Sequence, residues 1–201
     1  MARKAGRTPE ETRHVLLEAA AVVFRERGLS ASLDEIARRA GVSKGGLLYH
    51  FAAKEDLVRA LAHDVLDDLR AMVYAEIDPE DSAPGALARA YIRTCLAVTP
   101  DDETAIRETV HLLAQLTVMP DVVELMRTDS QRWHDDLRAD GMPDHVRTLV
   151  INAVDGASMS PFYGGALSED DLDTLKRQLL RFTLHSELWE VLSPDTAAAS
   201  R

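Results

Sequence analysis

The chain has 201 residues, 46% hydrophobic and 28% charged, which bounds it to one mid-sized domain or a small domain joined to a larger one. No apolar run approaches the ~18 residues of a membrane span, and the basic start Met1-Ala2-Arg3-Lys4 leads into no apolar segment, which argues against a membrane protein and a signal peptide. Cys95 is the single cysteine, so no internal disulfide is expected and a reducing cytoplasm fits; the net charge of −11 argues against a nucleic-acid partner only until its distribution is read.

Residues 1–60 carry 11 Lys+Arg against 8 Asp+Glu, whereas residues 61–201 carry 12 against 26. From Ile36 to Lys54 there are four basic residues and no acidic one. Binding to DNA requires a local basic surface rather than a basic chain. The acidic remainder is expected to face away from phosphate.

In chain order, nearly every segment reads as helix, and no strand-like alternation occurs. Thr8-Pro9-Glu10-Glu11 opens the first helix: Thr8 caps, Pro9 suits the first helical position, and the glutamates favour the positive helix end. Val15, Leu16, Ala19, Ala20, Val23 and Phe24 give it a buried stripe, and Gly28 stops it. Ser32-Leu33-Asp34-Glu35 is a capping box for a second helix that ends at Gly41. Ser43 caps a short third helix reaching about His50, and Lys54 begins a fourth running to about Glu76. After a Pro- and Gly-marked break at 78–85, helices are expected at roughly 84–98, 102–117, 120–139, 143–160 and 168–191. Residues 193–201 read as a polar tail.

The informative stretch is Ser32 to Lys54. Two short helices are joined at Gly41, with small Ala37 four residues before it. A helix-turn-helix requires both, a close crossing at the small residue and a positive φ in the turn. Ile36, Val42, Leu47, Leu48 and Phe51 supply the inner side. Gly45, Gly46 and Tyr49 fall on the outer side, with Ser43 and His50 at its flank. A helix with so little bulk near its start can enter a major groove deeply. Lys44, Tyr49, His50 and Lys54 can bind phosphate oxygens, and Ser32, Ser43, Gly45 and Gly46 complete the expected DNA-contacting set.

These residues resemble the DNA-binding domain of TetR-type repressors. The resemblance is carried by Phe24-x-x-x-Gly28, the run from Ile36 to Gly45, the triplet Tyr49-His50-Phe51, and Lys54-Glu55-Asp56-Leu57. It departs from the family pattern at Gly46, where many members carry Thr or Ser, and at Leu48, where many carry Tyr. The resemblance implies an all-α chain of about nine helices. A DNA-binding domain would span 9–60, with the helix-turn-helix at about 32–51, and an effector-binding and dimerisation domain would span 61–192.

The resemblance further implies a homodimer, formed through the last two long helices, on a palindromic double-stranded operator. A small, partly apolar effector would release it, with helix four swinging between states, and repression would be the outcome. Tyr91, Thr94, His111, Gln115, Met126, Trp133 and Phe162 mix apolar bulk with polar handles and are the candidate effector contacts. No catalytic residue, metal site or cofactor is expected: G-x-S-x-G, H-E-x-x-H, C-x-x-C and G-x-G-x-x-G are all absent. The alternative reading is an architectural or occlusion-type DNA-binding protein without a small-molecule effector.

Overall fold

The computed structural model describes residues 7–96, 100–160 and 167–191, the side chains of 100–107 excepted. Among the described residues the fold is all-helical. The helices are α1 (Pro9–Arg27), α2 (Leu33–Ala40), α3 (Lys44–His50), α4 (Lys54–Ala75), α5 (Ala86–Cys95), α6 (Pro100–Leu116), α7 (Pro120–Ala139), α8 (Asp144–Met159), α9 (Glu169–Leu184) and α10 (Glu187–Val191). Two compact units divide them: residues up to Asp67 with His111–Met126, and Asp68–Val110 with the chain from Arg127 onward.

The first unit begins as its sequence dictates. Thr8 Oγ1 accepts from the Glu11 amide and the Glu11 carboxylate accepts from the Thr8 amide, a reciprocal cap that satisfies two otherwise orphaned N–H groups. Ser32 and Glu35 repeat the device at α2. Leu16, Phe24, Ile36, Leu47, Leu57 and Leu61 are fully buried together, and Leu112, Leu116 and Val122 complete this core. The face of α1 is wider than its sequence stripe, since Leu17 and Ala21 are buried as well.

In the second unit, Val73, Leu87, Ile92, Leu137, Val146, Val150 and Val154 form the centre of a separate core. Gly85 precedes α5 and offers no capping side chain. The carboxylate of Asp140, at the end of α7, accepts from the Leu87 and Ala88 amides at 3.1 and 3.0 Å and caps the helix instead. Arg89 is buried, and all five of its N–H donors are used. They reach Asp81 twice, at 2.6 and 2.7 Å, and the carbonyls of Ala83, Pro84 and Thr183.

The expected single helix over 168–191 is corrected to two. His185 leaves the helical conformation, and the Trp189 indole N–H donates back to Phe182 O at 2.8 Å, pinning the kink. No helix of the described residues is long and apolar enough to cross a membrane.

Candidate nucleic-acid interface

The two-helix unit at residues 32–51 is built on α1. Gly41 takes φ 68° and ψ 31°, the left-handed conformation that favours glycine, and its amide bonds back to the end of α2. Val42 N donates to Ala37 O at 3.0 Å, and Ala37 is buried where the helices cross. Ser43 then starts α3, its Oγ accepting from the Gly46 amide at 3.0 Å.

Only a narrow strip of α3 is inside. Leu47 and Phe51, one turn apart, are buried. Leu48 was expected on the same side and is instead 39% exposed. Consecutive helical positions diverge by about 100°, so a seven-residue helix resting on one strip cannot bury both leucines. Leu48 therefore joins the outer surface, where an apolar side chain can meet a thymine methyl.

The outer face presents Lys44, Gly45 and Tyr49, the last 82% exposed. Tyr49 meets His50 edge-on at 5.2 Å between centroids. The space around Gly45 is open except for Ser43 Oγ, 4.0 Å from where a Cβ would sit; at Gly46 that separation is 3.3 Å. Lys44 Nζ bonds Asp34 Oδ2 at 2.9 Å, with both side chains mostly in solvent. That contact places an acid at the edge of the basic face, which the sequence reading did not single out.

Two of the other expected contacts have duties within the domain. The Ser32 hydroxyl belongs to the capping box. The Lys54 ammonium turns inward, donating to the carbonyls of Leu29 and Ala31 and lying 5.8 Å from the Phe24 ring centre. Arg7 donates to Ala40 O at 3.3 Å, at the end of α2. The surrounding ion pairs are Arg27 with Glu35 and Arg39 with Glu26. The Ser32 amide and hydroxyl, aided by Arg27, hold the Glu35 carboxyl below its ordinary range.

The candidate effector residues divide between the units. Tyr91, Thr94 and Trp133 lie in the second, and the structure brings Tyr91 and Trp133 together at 5.2 Å between rings. His111, Gln115 and Met126 lie in the first: Gln115 Nε2 sits 2.7 Å from His111 Nε2, and Met126 packs against the core. Phe162 lies outside the described residues. Trp133 also carries the Arg70 guanidinium over its ring at 4.1 Å and stacks with Tyr74, so two residues of α4 rest on it. No group of three metal-capable side chains occurs among the described residues.

Comparison with known proteins separates a helix-turn-helix of this form from its many look-alikes. The family described as "Bacterial regulatory proteins, tetR family" matches residues 16–61, and "Tetracyclin repressor-like, C-terminal domain" matches residues 85–184. The chain belongs to the TetR family. Among curated TetR-type relatives, it is 38% identical over 105 residues to the HTH-type transcriptional regulator RutR of Escherichia coli, covering 52% of this chain and 49% of RutR. The chain spans under half the length of the first curated relatives it matches.

Two solved structures share the fold at lower identity. A TetR transcription regulator from Haloarcula marismortui is 17% identical with a TM-score of 0.68, covering 87% of this chain and 97% of that one. The multidrug binding protein EbrR, solved with malachite green, is 22% identical with a TM-score of 0.61, covering 85% and 96%. In this TetR-family chain, α3 is the second helix of the helix-turn-helix.

Proposed function

We propose that this TetR-family protein is a repressor that binds a palindromic operator as a homodimer and leaves it when a small, partly apolar ligand binds the helices beyond α4. The observation that carries the reading is the outer face of α3. Tyr49 has almost no packing role at 82% exposure, and two glycines clear the space beside it. The N-terminal amides of α3 and the Ser43 hydroxyl meet one phosphate, and Lys44 and Tyr49 take neighbouring backbone or base positions. Gly45 and Leu48 set how closely the helix approaches the bases. Lys54 acts by holding the domain together rather than by clamping DNA.

Dimerisation through α8 and α9 is supported by apolar side chains left in solvent, Leu149 at 48% and Leu184 at 59% exposure. A twofold places the two recognition helices on half-sites about one turn, ~34 Å, apart. Ligand and operator are linked reciprocally through α4, which contributes Leu57 and Leu61 to one core and sets Arg70 and Tyr74 against Trp133 in the other unit.

Selection of bound fragments from sheared genomic DNA tests the reading, with Tyr49→Ala and Lys44→Ala as controls. Recovery of one short palindrome by the wild type alone is expected. Equal recovery of random fragments by all three proteins would refute sequence-specific regulation.

A further inference from the structure

We propose that Asp155, held by Tyr91 beside the Tyr91–Trp133 ring pair, is the anchor for a cationic ligand, an organic ammonium with an aromatic or alkyl body. The proposal rests on the reading above that the second unit binds an effector, and it names the chemistry of that effector.

Three helices converge here. Tyr91 Oη of α5 donates to Asp155 Oδ1 of α8 at 2.6 Å. The Tyr91 ring lies against Trp133 of α7. Cys95, one turn along α5, adjoins Tyr91, and His134 of α7 acts on Asp155 through its charge. Burial holds the Tyr91 phenol well above its ordinary range and pushes the Cys95 thiol up to about 12. Both stay neutral at physiological pH, so Asp155 is the anion of the group. Burial also raises its own carboxyl above the usual range, against the hydrogen bond from Tyr91 and the charge of His134.

The other packed carboxylates of this unit are matched. Asp81 has Arg89, Asp129 and Asp136 share Arg70, and Asp140 accepts two helix amides. Asp155 has one phenolic donor for about four acceptor positions, and no Lys or Arg pairs with it among the described residues. Packing against Tyr91 covers one side of the carboxyl, while the residue keeps an open outer side by which a ligand can reach it. His134 is the one basic side chain that acts on Asp155 among the described residues, and a cationic ligand adds the direct countercharge that no Lys or Arg supplies, with the Tyr91 ring favouring the same sign. The acidic excess of residues 61–201 raises the local concentration of cations. An anion is repelled, and a neutral apolar ligand leaves the carboxylate uncompensated.

The test is titration calorimetry of the full-length protein with benzyltrimethylammonium, benzyl alcohol and benzylsulfonate, which share a benzyl body and differ in charge. Operator binding is measured in parallel. The wild type is expected to prefer the ammonium by about tenfold or more over the alcohol, and Asp155→Asn, which keeps the acceptor for Tyr91, to lose that preference. Asp155→Leu serves as a second variant, and a melting curve of each shows whether it is folded. Equal binding of the three probes, or an ammonium preference unchanged in a folded Asp155→Asn, overturns the proposal. So does the absence of binding by any probe to a wild type that still binds its operator. If the alcohol binds and releases the operator, effector regulation stands and the cationic assignment falls. If the wild type binds no operator, the underlying functional reading has failed instead.

Discussion

Replacing Arg89 by Met isolates what the buried guanidinium contributes to the second unit. Methionine retains much of the aliphatic stem, so the variant chiefly removes five hydrogen bonds, two of which form the bidentate ion pair with Asp81. Stranding a buried partner charge costs about 3–5 kcal/mol. The Asp81 side chain keeps 16% of its exposure, and Ala83 and Pro84 lie at the surface, so water recovers part of the loss. The lower end, about 3 kcal/mol, is therefore expected, or a fall in Tm of roughly 6–12 °C for a chain of this size.

Both tryptophans, Trp133 and Trp189, lie in the second unit, so their fluorescence follows its unfolding selectively. Adding Asp81→Asn to Arg89→Met should restore part of the stability by removing the stranded charge. The pH dependence has a definite sign. The Arg89 hydrogen bond holds the Asp81 carboxyl below its ordinary range. Its contribution is thus full above the unfolded value, about 3.9, and is lost as pH falls through the lower folded one. The gap between wild type and Arg89→Met should narrow in that acid window. A loss under about 1 kcal/mol at pH 7, or no recovery in the double variant, would refute the reasoning.

Two further outcomes concern the DNA-binding unit. Asp34→Asn frees Lys44 from an exposed pair of the kind worth about 0.2–1 kcal/mol, so operator affinity should rise by up to about fivefold at low salt and converge with wild type at high salt. A weaker variant would mean that Asp34 positions Lys44 rather than competing with phosphate for it. Gly41→Ala introduces no clash but forces a Cβ into the left-handed region, for a cost of about 1 kcal/mol; Gly41→Asn should lose less in the same melting experiment, and an Ala variant as stable as wild type contradicts the turn geometry.

What the sequence made legible was local. Thr8, Ser32 and Ser43 mark helix starts because a short oxygen side chain reaches an amide two or three residues on. Gly41 marks the turn for an equally local reason. Leu48 was misplaced because periodicity locates an apolar arc but not its width. The kink at His185 was missed because no Pro or Gly announces it; the Trp189 indole holds it from the following turn. The Asp34–Lys44 pair was not read because its two members lie ten residues apart across the turn. Of the effector set, the Tyr91–Trp133 pairing was within reach of pattern, but Asp155 was not: on α8 it reads as one more solvated acid until α5 is packed beside it.

The borrowed cap on α5 also bears on the order of events during synthesis. Asp140 follows the Leu87 amide that it caps by 53 residues. At about 5–20 residues per second, the ribosome leaves α5 without its cap for roughly 3–10 s. Over that interval α1, α2 and α3 already possess their own start signals and much of their shared core. Pulse-labelled hydrogen exchange during refolding should find the α1 amides protected before those of Leu87 and Ala88, and simultaneous protection would contradict this order. The N-terminal reader is thus assembled from neighbours in the chain, while the second unit waits for contacts that close long loops.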